Sequence, residues 1–138
     1  MKTPMILPER LRRQMFEHAL SDSSHEICGL LGGDRERLTS YYPVKNIAAD
    51  PARRYLMDPA EQIDALKKMR AQGESLAAIF HSHTDAPAHP SRADLDMAYY
   101  PDTCYLILSL QTSPPKLNAF YFDGRKFIPE QILAGNLD

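Results

Sequence analysis

A chain of 138 residues with 43% hydrophobic residues has room for one domain with a buried core and little room for two. Its formal net charge of -2 leaves no cationic footprint for nucleic acid or an anionic membrane, and no apolar run approaches membrane-spanning length. Two cysteines are too few for a disulfide framework. Cys28 and Cys104 fall in apolar, strand-like runs and read as buried thiols in a reducing compartment, with a Cys28–Cys104 bridge or a thiol ligand as lesser alternatives. The apolar run in residues 1–8 is too short for a signal peptide, so the cytoplasm is the expected location.

Pro8 opens the first predicted helix at its first turn. Leu11, Met15, Phe16, Ala19 and Leu20 share one face at helical spacing, and the helix ends near residues 21–24. Residues 26–33 form a short apolar run that reads as a buried strand, turning at Gly32, Gly33 and Asp34 into a second strand over residues 37–44. Alternation places Glu26 and Cys28 on the same face of that strand. Residues 46–54 read as a loop and residues 55–57 as a short strand. Asp58 as cap, Pro59 at the first position and Glu61 closing a capping box announce a second helix. Ile63, Leu66 and Met69 make its buried stripe, and Gly73 ends it.

Residues 76–80 are a fully apolar strand that delivers two histidines at its C-terminal end. Ser91 begins a third helix running to about Tyr99, with Pro101 beyond. Residues 103–110 are the most strand-like run in the chain, and Pro114-Pro115 breaks it. Residues 117–122 and 127–132 flank Asp123-Gly124, a hairpin signal. Three helices among about seven strands predict an α/β fold, a mixed sheet covered by helices, in a single domain spanning residues 1–138.

The chemistry concentrates in residues 79–94. His81 and His83 lie two apart on a strand, so their imidazoles point the same way and can converge on one metal ion. Asp94, at the start of the next helix, supplies a third ligand. Two His and one Asp leave a tetrahedral position open, the arrangement of catalytic rather than structural zinc. Other readings weigh against this one. Ser91-x-x-Asp94 also resembles a capping box with Asp in place of the usual Glu or Gln, and a cap is compatible with a catalytic role for Ser91. Amidohydrolase barrels also begin with H-x-H but need roughly 250 residues. Non-haem iron oxygenases use two His and a carboxylate in a different order. His18, His25 and His89 read as surface residues. A carboxylate such as Glu26 in an apolar strand has no bland explanation, because burying it unpaired is costly.

The pattern resembles the JAMM signature of the MPN (Mov34/PAD-1) metallopeptidase family: an upstream glutamate, H-[ST]-H, seven residues, Ser, two residues, Asp. Here the seven are residues 84–90, followed by Ser91 and Asp94. Glu26-Ile27-Cys28-Gly29-Leu30-Leu31-Gly32-Gly33 is similar to the family's E-x-C-G-L-L-x-G strand. Thr84 departs from it, standing where many members have Pro. The resemblance implies a cytidine deaminase-like sheet arrangement and one Zn²⁺ per chain on His81, His83 and Asp94. It also implies Glu26 as the general base brought beside them by the fold, and Ser91 as a donor to the oxyanion. It implies hydrolysis of an amide or isopeptide bond after the C-terminal Gly-Gly of a ubiquitin-like or sulfur-carrier protein. The short chain looks like the minimal stand-alone prokaryotic type. A phage-tail or cell-wall-associated peptidase and a non-catalytic MPN scaffold are the alternatives. Residues 53–57 are the candidate edge on which such a tail adds as a strand, with an ordinary solvated edge strand as the equal alternative.

Overall fold

A computed structural model describes residues 4–34 and 36–135; residues 1–3 of the N-terminal segment considered above lie outside this range. In chain order the elements are β1 (Met5–Pro8), α1 (Glu9–Ser21), β2 (Cys28–Gly33), β3 (Leu38–Val44), α2 (Pro59–Ala71), β4 (Ser75–His83), α3 (Arg92–Asp96), β5 (Thr103–Ser109), β6 (Lys116–Phe122), β7 (Phe127–Glu130) and β8 (Ile132–Gly135). Six strands make one mixed sheet in the order β3-β2-β4-β5-β6-β7, and β1 pairs with β8 in a separate parallel ribbon. Within the large sheet only β4 and β5 run parallel.

Alternation along the central strands builds two cores. Leu31, Phe80, Leu106 and Leu108 face α1 and meet Leu11, Met15 and Ala19. Leu30, Ile79 and Tyr105 face α2 and meet Ala65 and Met69. By the same alternation His81 and His83 follow Ile79 onto the α2 side, at the end of β4. Cys28 and Cys104 belong to the cores on opposite faces, and no disulfide joins them. No helix among the described residues is long and apolar enough to cross a membrane.

Gly29 shows why glycine interrupts the central strand. A Cβ there would lie 2.5 Å from a ring carbon of Tyr41 and 2.8 Å from the Tyr42 carbonyl oxygen. The Tyr41 ring therefore crosses over Gly29, packing edge-on against Phe80 at 5.8 Å and sharing a 2.6 Å hydrogen bond with His18 Nδ1. That contact half-buries His18, which the sequence reads as a surface residue.

Several boundaries differ from the sequence reading for identifiable reasons. Leu20 is 58% exposed and Ile63 54% exposed, so both buried stripes are narrower than their spacing suggests. Glu61 does not close a capping box: Asp58 accepts from the Glu61 N–H, but the Glu61 carboxylate turns to the Lys45 N–H. Residues 55–57 form no ladder strand, and only Met57 bridges, to Asn46. The third helix stops at Asp96. Pro101 disfavours helix at Tyr100, and the Tyr100 N–H donates to the Tyr105 hydroxyl at 3.3 Å. The run 127–132 splits at Gln131: β7 stays on the large sheet, and β8 leaves to pair with β1.

Candidate metal centre

Three buried side chains converge where β4 ends and α3 begins. His81 Nε2 lies 3.2 Å from His83 Nε2. The Asp94 carboxylate reaches both, with Oδ1 3.1 Å from His81 Nε2 and Oδ2 3.0 Å from His83 Nε2. Local structure aims each of them. His83 Nδ1 is 2.7 Å from the Pro87 carbonyl oxygen. A carbonyl only accepts, so Nδ1 carries a proton, and Nε2 is the ring nitrogen turned to the centre. Asp94 is oriented by the capping box: Ser91 Oγ accepts from the Asp94 N–H at 3.0 Å, and Asp94 Oδ2 accepts from the Ser91 N–H at 2.9 Å. The His81 ring is stacked on Tyr55, with centroids 4.4 Å apart and planes 24° from parallel.

The donor set fits a small divalent cation. One ligand atom from each of the three residues lies within 4.8 Å of the other two, close enough for a single small cation with bonds of about 2.0–2.2 Å to bridge them. The electrostatics ask for positive charge at the same point. Burial disfavours a proton on His83, but its hydrogen bonds to Asp94 and Pro87 and the charges of Asp94 and Glu26 raise its pKa on balance. Burial alone would push the Asp94 carboxyl up, but its hydrogen bonds to His81 and His83 hold it well below the usual range. His81 goes the other way, its pKa lowered mainly by burial, which keeps a neutral imidazole available as a ligand.

Glu26 stands beside this group, two residues before β2 rather than within it. Its backbone is held on both sides: its N–H donates to the Pro51 carbonyl at 2.7 Å, and its carbonyl accepts from Asn46 Nδ2 at 2.9 Å. The next residue is clasped by the serine between the two histidines. The Ile27 N–H donates to Ser82 Oγ at 2.9 Å, and the Ser82 N–H donates to the Ile27 carbonyl at 3.0 Å. Glu26 is 4% exposed, and its buried Oε1 has no hydrogen-bond partner. Burial pushes its pKa up to about 8, with His83 opposing the rise and Asp94 and Asp50 adding to it. It opens onto a cleft shared with His83 and Ser91.

The structure thus brings Glu26, His81, His83, Ser91 and Asp94 together and leaves the other candidates apart. His25 pairs with Asp22 on the surface, and exposed His89 lies against Phe120. Cys28 donates to the Val44 carbonyl at 3.3 Å, and burial raises its pKa to about 12, so it supplies no thiolate. Residues 53–57 offer no formed sheet edge. Their backbone is gathered instead by Asn46, whose side chain donates to Glu26 and Arg54 carbonyls and accepts from the Ala48 and Leu56 N–H groups, all at 2.9 Å. Asn46, Tyr55 and Ser82 were not singled out by spacing. Only Ser82, between two candidate ligands, carried a sequence signal.

Comparison with known proteins adds the family. The pattern of the Prok-JAB family, "Prokaryotic homologs of the JAB domain", matches residues 8–123. A desampylase from Haloferax volcanii is 36% identical over 95 residues, covering 67% of this chain and 68% of the relative. A CysO-cysteine peptidase from Mycobacterium tuberculosis is 33% identical over 107 residues, covering 76% and 73%. Among solved structures, a protein from Desulfitobacterium hafniense superposes with a TM-score of 0.87 at 34% identity, covering 97% and 95% of the two chains. A JAB1/MPN domain protein from Archaeoglobus fulgidus superposes with a TM-score of 0.59 over 94% and 96% of the chains. At 15% identity, that likeness speaks for the fold alone.

Proposed function

The chain belongs to the prokaryotic homologues of the JAB domain and is a hydrolase of the JAMM kind; from that premise we propose that it is a zinc-dependent peptidase. Its substrate in this reading is an amide bond after the C-terminal Gly-Gly of a ubiquitin-like or sulfur-carrier protein. The observation that carries the reading is the buried carboxyl of Glu26, its Oε1 without a hydrogen-bond partner, sharing a cleft with His83, whose ligand atom converges with those of His81 and Asp94. The relatives named as a desampylase and a CysO-cysteine peptidase support the substrate class.

In this reading His81 Nε2, His83 Nε2 and the Asp94 carboxylate hold one zinc per chain. When bound, zinc supplies Lewis acidity, lowering the pKa of water toward roughly 7 and polarising a carbonyl. Glu26 is the base. Its Oε1 takes a proton from the attacking water and returns it to the leaving nitrogen. Burial raises the proton affinity of this carboxyl, and a neighbouring cation would oppose that rise, the balance that taking up and releasing a proton requires. The Ser91 hydroxyl accepts from the Asp94 N–H, so its own proton is left to donate to the oxyanion of the tetrahedral intermediate. The Pro51 carbonyl fixes the backbone before Glu26, and Asn46 and Ser82 fix it after, holding its carboxyl beside the ligand group. In this reading the chain is a single cytoplasmic domain that acts without nucleic acid or membrane.

A carrier ending in Gly-Gly plus one further amino acid tests this directly. Mass spectrometry of the carrier after incubation with zinc-loaded protein should show loss of the added residue and a free Gly-Gly terminus. Replacing the last glycine by leucine should abolish turnover, because glycine lets the tail backbone lie close to the centre. Equal cleavage of both tails would move the reading to a broader peptidase.

A further inference from the structure

The cleft in front of Glu26 carries a cation of its own. Arg53 lines it together with Glu26, His83, Thr84, Asp85 and Ser91. The other formal charges on this wall, Glu26 and Asp85, are acidic, and Asp94 lies against His83 behind it. Among the described residues no carboxylate forms an ion pair with the Arg53 guanidinium.

An unpaired surface arginine is ordinarily just solvated, but this one stands on a turn fastened to the reaction centre. The Arg53 N–H donates to the Asp50 carbonyl at 3.1 Å and closes the turn. The Pro51 carbonyl accepts from the Glu26 N–H at 2.7 Å, and the Ala52 carbonyl accepts from Thr84 Oγ1 at 3.0 Å. The turn is therefore tied to the base on one side and to the residue after His83 on the other. Thr84 is also where this chain departs from the family pattern, and a proline at that position has no hydroxyl to make the bond.

We propose that Arg53 binds the free α-carboxylate of the leaving group, so that the substrate class is a carrier tail extended by a single amino acid. The inference rests on the peptidase reading above and narrows it. A carboxylate one carbon from the scissile nitrogen would otherwise enter a cleft walled by Glu26 and Asp85. A planar guanidinium offsets that repulsion and accepts the carboxylate in a two-point geometry. A lysine side chain joined through its ε-nitrogen brings no carboxylate to that place and gains nothing from Arg53. Arg53 exchanges no proton in the reaction. The C–N bond breaks, the water oxygen joins the glycine carbonyl carbon, and its proton passes through Glu26 to the leaving nitrogen.

The test compares two tails, Gly-Gly-Ala with a free carboxylate and Gly-Gly-Ala with a carboxamide end. The expected preference for the acid in kcat/KM is about tenfold to a hundredfold, the range of a charge-assisted hydrogen bond. Arg53→Ala should bring the acid-to-amide ratio near one, Arg53→Lys should restore part of it, and Arg54→Ala should keep the wild-type ratio. Binding supplies a readout independent of turnover. Zinc-loaded Glu26→Gln protein should bind the acid peptide more tightly than the amide by a similar factor, and the added Arg53→Ala should erase the difference. Equal kcat/KM for acid and amide in the wild type, or a preference that survives Arg53→Ala, would overturn the inference while leaving the peptidase reading in place. If neither tail is cleaved, the peptidase reading fails, and the binding comparison still decides the role of Arg53.

Discussion

Glu26 is a carboxyl held where its charge is costly, and two expectations follow from that. Glu26→Gln should keep zinc and the fold yet lose nearly all turnover; loss of zinc in the variant would make Glu26 a ligand instead. The second expectation concerns metal-free protein. The folded-state pKa of Glu26 is raised from 4.5 to about 8, so its contribution to stability is fully present below the unfolded value and is lost as pH rises through the folded one. Urea unfolding of metal-free wild type against Glu26→Gln should show the wild type losing stability from pH 5 to 8, on the order of a few kcal/mol. Zinc should flatten that slope, because a neighbouring cation favours the carboxylate. A slope unchanged by Glu26→Gln would contradict the burial argument. Ser91 caps the third helix, and one variant separates that cap from the proposed oxyanion role. Ser91→Ala should cost about 1 kcal/mol for the lost cap and lower turnover by about two to three orders of magnitude if the hydroxyl serves the oxyanion. Activity surviving at reduced stability would leave Ser91 as a cap only. These residues were legible because strand alternation and helix capping act over a few positions, so His81, His83, Ser91 and Asp94 declare themselves by spacing. Tyr55 and Asn46 act across the fold, through a ring face and four backbone partners, and no local spacing encodes that.

At the scale of elements, the site depends on a loop and a strand end being sewn together. Asn46 makes four hydrogen bonds that gather residues 46–56 under Glu26. Asn46→Ala should free Tyr55 from its place against His81 and lower kcat more than KM; thermal melting should fall as well. The Asn46→Asp variant keeps both acceptor contacts but loses the donors to Glu26 and Arg54, so it should rescue stability more than kcat. Equal rescue of both would reduce Asn46 to a scaffold residue. Helix and strand types were readable from periodicity, whereas their ends were decided by tertiary partners. Tyr105 holds Tyr100 just beyond the third helix, Lys45 claims the Glu61 carboxylate, and β1 takes Ile132 from the end of the hairpin run. Each competitor lies more than a helical turn away in sequence, beyond the reach of a periodicity argument.

Across the whole molecule, the sheet order β3-β2-β4-β5-β6-β7 puts β2 directly against β4. Cys28 pairs opposite His81, which sets Glu26, two residues earlier, beside His83. Apolar runs interleaved with amphipathic stretches made the mixed, helix-covered sheet legible. The juxtaposition of positions 26 and 83 came only with family resemblance, because strand order is a global property that short-range spacing does not specify. The central claim is that this juxtaposition exists to serve a metal ion held by His81, His83 and Asp94. Elemental analysis of protein purified without added metal, repeated after zinc addition and desalting, tests it most directly. The account predicts one equivalent of zinc per chain, lost in the His81→Ala and Asp94→Ala variants. Less than about a tenth of an equivalent, with no uptake when zinc is supplied in excess, would contradict it.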